Sequence, residues 1–331
     1  MRVLVTGSAG FIGYHLCALL LAEGAEVIGL DAHDAYYDPA LKEARESRLR
    51  PHPGFTAIRA RVEEPGVLAG IFATHRPDIV VHLAAQAGVR YSIENPRAYL
   101  ESNLIGTFEL LEAARAHPPR HMLLASTSSA YGANTDMPYR ETDKADAQMS
   151  FYAATKKSTE AMAHSYAHLF GLPVTMFRFF TVYGPWGRPD MAPWLFTSAI
   201  IAGQPIKVFN HGDMRRDFTY VTDLVRAIRL LMDAVPGDAP IGPEDSLSPV
   251  APFRVVNIGN GAPVELLDFI AAIESATGKQ AIRQMLPMQP GDVPATWADT
   301  TLLSRLTGYA PQTQVPQGIA EYVDWFRSYY L

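Results

Sequence analysis

The sequence predicts an α/β fold: a doubly wound parallel sheet followed by a smaller C-terminal α/β substrate domain. Three observations predict it. An apolar run at the start leads into Gly7-Ser8-Ala9-Gly10-Phe11-Ile12-Gly13 and then into a helical pattern. Short apolar runs alternate with amphipathic stretches through the first half. That alternation weakens after Gly184. Strand and helix in alternation imply βαβ units wound on both faces of one sheet.

The elements follow in order. Residues 3–6, 26–30, 79–83, 121–125 and 174–179 are continuous apolar runs, the pattern of strands buried on both faces. Residues 11–22 and 99–116 carry helical periodicity. From Pro185 to about Asp217 the chain mixes Pro, Gly, Arg and aromatics, as a loop-rich substrate domain would. Residues 223–233 read as a helix and 236–252, rich in Pro, Gly and Asp, as an exposed loop. Residues 254–258 read as a further strand and 264–277 as a helix. The boundaries expected are 1–184 for a Rossmann-type dinucleotide-binding domain, with 218–260 returning to it, and 185–217 with 261–331 for the second domain.

Composition bounds the function. The 331 residues suffice for one large domain or two smaller ones. With 48% hydrophobic and 19% charged residues, the chain is of the ordinary globular kind. A formal charge of -6 and the lack of a long basic run argue against nucleic acid as a partner. Cys17 is the one cysteine, which excludes an internal disulfide and fits a reducing compartment. No signal peptide, membrane span or metal is expected, and a cytoplasmic location is.

The glycine loop sits between a strand and a helix, where a dinucleotide pyrophosphate binds. Gly7 permits the tight turn, Gly10 lets backbone approach the phosphates, and Gly13 lets helix pack on strand. Phe11 and Ile12 open the helix, whose first N–H groups and partial positive charge suit the phosphates. Asp31 ends the second strand, where a carboxylate accepts from the adenosine ribose and repels a 2'-phosphate. NAD is therefore expected over NADP. Asp34 is a weaker candidate for that role, and either acid could instead cap a turn. Leu83, Ala84 and Ala85 end the next apolar run and could lie against the cofactor or simply pack.

Tyr152 and Lys156 are four residues apart, so they share a helix face. A free phenol, with a pKa near ~10, is a poor base. A nearby ammonium and a positive nicotinamide ring favour the phenolate. The spacing alone is also that of an exposed tyrosine beside a surface lysine. Ser126-Thr127-Ser128-Ser129 follows a strand at its carboxyl end, where ligands of such sheets bind; it also suits an ordinary turn.

Taken together, these residues resemble the extended short-chain dehydrogenase/reductase family and, within it, the UDP-glucuronate 4-epimerases. The match spans the chain. It is most specific at residues 91–96, 131–135, 178–192, 216–220 and 288–293. The resemblance implies that Tyr152, Lys156 and Thr127 are catalytic. It implies C4 oxidation of a UDP-sugar to a 4-keto intermediate, rotation, and re-reduction by bound NAD. Ser128, Ser129 and Thr181 are candidates for holding the sugar carboxylate away from decarboxylation, and the lack of an acid pair after Thr127 argues against dehydration. Arg216 is implied on the diphosphate, Asp292 on the uridine ribose, Arg188 on the diphosphate or sugar acid, and Val208 with Phe209 beside uracil. Asn103 is a structural polar group near the active helix. Arg61 stands where many relatives have an acid that reads adenine; Val62 backbone could still read the base. Gln289 replaces an arginine of other relatives. A homodimer through 99–116 and 152–170 is expected from the resemblance. The competing readings are a decarboxylase, a UDP-hexose 4-epimerase, and a non-catalytic NAD-binding protein.

Overall fold

The computed structural model describes residues 1–237, 239–288 and 293–331. In chain order the first half runs β1 (Arg2–Thr6), α1 (Phe11–Ala22), β2 (Glu26–Asp31), α2 (Pro39–Leu49), β3 (Phe55–Arg59), α3 (Val67–His75) and β4 (Ile79–His82). Then come α4 (Tyr91–Glu94), α5 (Pro96–Tyr99), a π-helical stretch Leu100–Ile105, α6 (Gly106–Ala116), β5 (His121–Ala125), α7 (Phe151–Phe170) and β6 (Val174–Phe179). The second half runs β7 (Thr181–Tyr183), α8 (Ala192–Ala202), β8 (Pro205–Val208), β9 (Arg215–Tyr220), α9 (Val221–Leu231), β10 (Phe253–Ile258), β11 (Pro263–Glu265) and α10 (Leu266–Thr277). It ends with β12 (Ile282–Met285), β13 (Ala295–Thr296), α11 (Thr301–Thr307) and α12 (Val315–Tyr330).

Seven parallel strands form the main sheet in the order β10-β6-β5-β4-β1-β2-β3. The order reverses between β1 and β4, so the crevice for a ligand opens at the carboxyl ends of those two strands. Each sheet face carries an apolar layer. One joins Val3, Val5, Leu16, Leu20 and Leu123 to Leu224 and Ile228 of α9. The other joins Leu4, Val80 and Leu124 to Leu68, Leu110 and Ala163. Burial on both faces is why these strands are continuous apolar runs.

A smaller lobe packs β7, β8 and β9 with α8, α10 and α12 around Phe218, Phe269, Ile319 and Phe326. Phe218 and Phe269 stack with ring centroids 4.0 Å apart. In this lobe β11, β9 and β13 form one sheet, β7 pairs with β9, and β12 pairs with β8. The chain passes between the main sheet and this lobe after β6, β9, β10, β13 and α11.

Three details differ from the expectation. β3 escapes the apolar-run criterion because it is an edge strand with no buried residue. The single helix expected over 99–116 is a short α-turn, a π-helical stretch and then α6; the wider π-turn aims Asn103 inward. The helix expected over 264–277 starts at Leu266, because Pro263–Glu265 pairs antiparallel with β9. No described helix is long and apolar enough to cross a membrane.

Candidate active site

A cleft of about 1240 Å³ runs from the glycine loop across the ends of the strands to the small lobe. That exceeds the ~300–1,000 Å³ of a pocket for one small ligand. Its first wall is largely main chain. Gly7 has φ +72°, and a Cβ there would lie 2.9 Å from the Ala84 nitrogen. A Cβ on Gly13 would lie 2.0 Å from the Gly7 carbonyl oxygen, so only glycine lets α1 sit this close to β1. No side chain caps the start of α1, leaving its first N–H groups to an anion. Gly7, Gly10, Phe11, Ile12, Gly13, Asp31, Val62, Leu83, Ala84 and Ala85 all line the cleft. The buried Asp31 carboxylate accepts from the Ala9 amide at 3.1 Å and the His33 amide at 2.8 Å, with Lys42 Nζ at 3.4 Å. These residues fit a dinucleotide: an open helix start for a diphosphate and a fixed carboxylate for a ribose.

Arg61 also lines the cleft. Its guanidinium donates to Asp34 Oδ2 at 2.9 and 3.0 Å and to Glu63 Oε1 at 2.7 Å. Asp34 is thereby committed to Arg61, whereas Asp31 lines the cleft at the end of β2.

At the centre of the cleft, Ser150 caps α7 by accepting from the Ala153 amide at 3.1 Å, and Tyr152 and Lys156 follow on one face. Thr127, at the end of β5, shares a hydrogen bond with the Tyr152 phenol. Burial raises the Tyr152 pKa from its ordinary value, against the pull of the Thr127 bond and the Arg188 charge. Among the protein's own groups, desolvation thus outweighs the lowering contributions at the phenol. Burial lowers Lys156 to about 8, opposed by the Glu160 carboxylate.

Glu160 lies one turn beyond Lys156. It accepts from Ser126 Oγ at 2.6 Å, from Arg178 Nε and Nη2 at 2.9 and 2.8 Å, and from Lys157 at 2.9 Å. Burial pushes its carboxyl up, but the Arg178 fork and Lys157 outweigh this and bring it down to about 2. This buried pair fixes α7 against β5 and β6. Sequence reasoning missed it, although Glu160 stands four residues after Lys156 on the same face. Asn103 makes a second fastening. Its amide bonds both the Gln86 backbone (2.8 and 3.1 Å) and Thr155 Oγ1 (3.0 Å), tying the loop after β4 to α7.

The other wall is made of side chains. Ser128, Ser129, Thr181, Arg188 and Phe209 line it. Arg188 donates to Asp190 at 3.0 and 2.5 Å, and Tyr36 donates to Asp190 at 3.1 Å. Tyr36, Tyr91 and Tyr99 lead ring to ring toward Tyr152, with centroids 4.8, 6.2 and 6.0 Å apart. Neither Lys42 nor Tyr36 was anticipated; both come from the stretch after β2.

Two expected residues are placed otherwise. Val208 is buried in the small-lobe core and does not line the cleft, whereas its neighbours Ile206, Lys207 and Phe209 do. Arg216 does not line the cleft; its guanidinium donates to the carbonyls of Arg215, Val293 and Pro294. Asp292 and Gln289 lie outside the described residues.

Comparison with known proteins gives one consistent result. Residues 3–242 match the NAD dependent epimerase/dehydratase family. The chain is similar to a Rhizobium meliloti protein named "Probable UDP-glucuronate 4-epimerase", 52% identical over all of this chain and 98% of that one. It is also similar to the crystal structure of UDP-glucuronic acid 4-epimerase from Bacillus cereus in complex with UDP-glucuronic acid and NAD, with TM-score 0.89, 32% identity and full coverage of both chains. A UDP-glucose 4-epimerase from Thermotoga maritima, solved with UDP-glucose, follows at TM-score 0.85 and 30% identity, with 99% of each chain covered.

Proposed function

The chain belongs to the NAD dependent epimerase/dehydratase family, and on that premise we propose that it interconverts UDP-glucuronate and UDP-galacturonate. The observation that carries this reading is a set of neutral hydroxyls beside the base. Thr127, Tyr152 and Lys156 adjoin Ser128, Ser129 and Thr181 in the cleft that also holds the glycine loop.

NAD supplies the acceptor, and later the donor, of a hydride at C4. Tyr152 takes the proton of the 4-hydroxyl at its phenol oxygen and returns it in the second half of the reaction. Thr127 donates to the sugar oxygen and keeps the phenol aligned. Lys156 contributes a nearby ammonium that favours the phenolate, and a hydrogen bond to the nicotinamide ribose. The 4-keto uronate is a β-keto acid, which loses carbon dioxide when its carboxylate bond aligns with the carbonyl. Ser128, Ser129 and Thr181 can hold that carboxylate with neutral hydrogen bonds and keep it out of alignment. Arg188 and Phe209 are assigned to the sugar nucleotide from their place in the wall. Asp292 is assigned to the uridine ribose from sequence.

A homodimer is part of the proposal. The helices expected to pair expose Leu100, Ile105, Phe108, Phe151, Leu169 and Phe170, and light scattering reads the mass. The buried lone Cys17 and the charge of -6 are in keeping with a cytoplasmic enzyme. Proton NMR of the protein mixed with UDP-glucuronate, with and without added NAD, tests the activity. A UDP-galacturonate anomeric signal at constant total sugar is expected. A UDP-pentose signal would make the enzyme a decarboxylase. Turnover of UDP-glucose alone would make it a hexose epimerase, and no turnover of any of these would leave a binding protein.

A further inference from the structure

The segment from Gly184 to Arg188 leads out of β7 to the sugar wall, and two helices of the cofactor half hold it. His15, on α1 just after the glycine loop, places Nε2 2.8 Å from the Pro185 carbonyl oxygen. Burial brings its pKa down to about 4, so the neutral ring donates that N–H. Arg45, on α2, donates through Nη2 to the Trp186 carbonyl at 2.6 Å. Its Nη1 donates to the Ala9 carbonyl at 3.0 Å and to the Tyr37 hydroxyl at 2.7 Å. Arg48, three residues on, lays its guanidinium over the Trp186 ring, 4.7 Å from the centroid. Trp186 is thus gripped by main chain and by ring, and its φ of +63° needs such a grip.

Arg45 is unusual in its charge. It is 0% exposed, and among the described residues its Nε has no hydrogen-bond partner and no carboxylate forms an ion pair with it. A buried cation surrounded by carbonyls and a phenol is costly without an anion nearby. The carbonyl it grips is Ala9 of the glycine loop, and the Ala9 amide in turn is fixed by Asp31. The uncapped start of α1 that follows the loop leaves N–H groups for an anion, while Arg45, which does not line the cleft, holds the loop by the Ala9 carbonyl.

We propose that Arg45 is a positioning residue that couples the two ligand sites, joining the dinucleotide loop through Ala9 to the sugar-binding segment through Trp186. The proposal rests on the dinucleotide reading of the cleft. A diphosphate on the loop balances the Arg45 charge and steadies Ala9. Arg45, so held, keeps Trp186 in its left-handed conformation and fixes where Arg188 leaves the segment. The two sites are then linked reciprocally, each ligand tightening the other by the same factor.

Calorimetric titration with UDP, of NAD-stripped protein and of protein in saturating NAD, tests this. Wild type is expected to bind UDP roughly 5-fold or more tightly with NAD present. In Arg45→Met that ratio should fall to about one while UDP still binds. Arg45→Lys keeps the charge but cannot fork to both carbonyls, and should fall between. No tightening in wild type, or a wild-type ratio in a folded Arg45→Met, overturns the proposal. Should Arg45→Met not fold, Arg45→Lys decides by the same ratio: an unchanged value overturns it. The readout is binding, so absent turnover would sink the epimerase reading alone, and absent coupling with normal turnover would sink only the role of Arg45.

Discussion

On the proposed function, the two walls of the cleft recognise their ligands by different means. The cofactor wall works through main chain: a glycine loop, an uncapped helix start and one buried carboxylate fixed by two amides. The sugar wall works through side chains drawn from β5, α7, β7 and the segments that follow β7 and β8. A main-chain wall tolerates most substitutions and fails at its few glycines. A side-chain wall can be retuned at each position, so choice of sugar lies there while choice of cofactor stays nearly constant.

Substitutions can break or sharpen that contrast. The largest effect is expected of Tyr152→Phe, which should lower kcat by ~10²–10⁴-fold or more while NAD stays bound to the purified protein. A near-normal rate would remove Tyr152 from the mechanism. Gly13→Ala tests the other wall. Its Cβ would fall 2.0 Å from the Gly7 carbonyl, and we expect loss of bound NAD with ~1–3 kcal/mol of stability. A melting curve and the NAD content of the preparation read both.

Asp31→Ala should reduce the preference for NAD over NADP by about tenfold, the worth of one charge-assisted contact. Equal titrations for wild type and variant would put the preference elsewhere. Thr181→Ala should raise the KM for UDP-glucuronate about fivefold, one hydrogen bond's worth, or release more UDP-pentose. If neither changes, Thr181 does not touch the carboxylate.

The smallest effect concerns Glu141, beside the backbone of β10. It accepts from the Asn257 amide at 2.8 Å, and burial raises its carboxyl to about 7. A raised carboxyl contributes stability below its unfolded value near ~4.3, and that contribution is lost as pH rises through 7. Glu141→Gln should therefore gain on the order of 1 kcal/mol at pH 8 and little at pH 4. An equal shift at both pH values would rule out its titration as the cause.

The same contrast governs what could be read in the sequence. The glycine loop is contiguous, and its meaning comes from a strand before it and a helix after it, both visible as patterns. Tyr152 and Lys156 are legible because helix geometry fixes them four apart. The buried strands are legible because burial on both faces leaves apolar runs, whereas β3, an edge strand, leaves none. Val208 was misplaced because packing against the small-lobe core, not proximity to Phe209, decides where its side chain lies. Only Tyr37, eight residues away, is a near partner of Arg45, and the two carbonyls that define its place, Ala9 and Trp186, stand 36 and 141 residues away. Side-chain walls are assembled by such long-range contacts, and a sequence read locally does not show them.

The repeated crossing of the chain between the main sheet and the small lobe has an evolutionary consequence. The substrate lobe is not a cassette. It cannot be cut at two points and replaced by another, because its strands are interleaved with α9, β10 and α11 of the other half. A new sugar preference in this architecture must arise by replacing residues in place, through intermediates that keep both halves folded. Shuffling of gene segments offers it no shortcut.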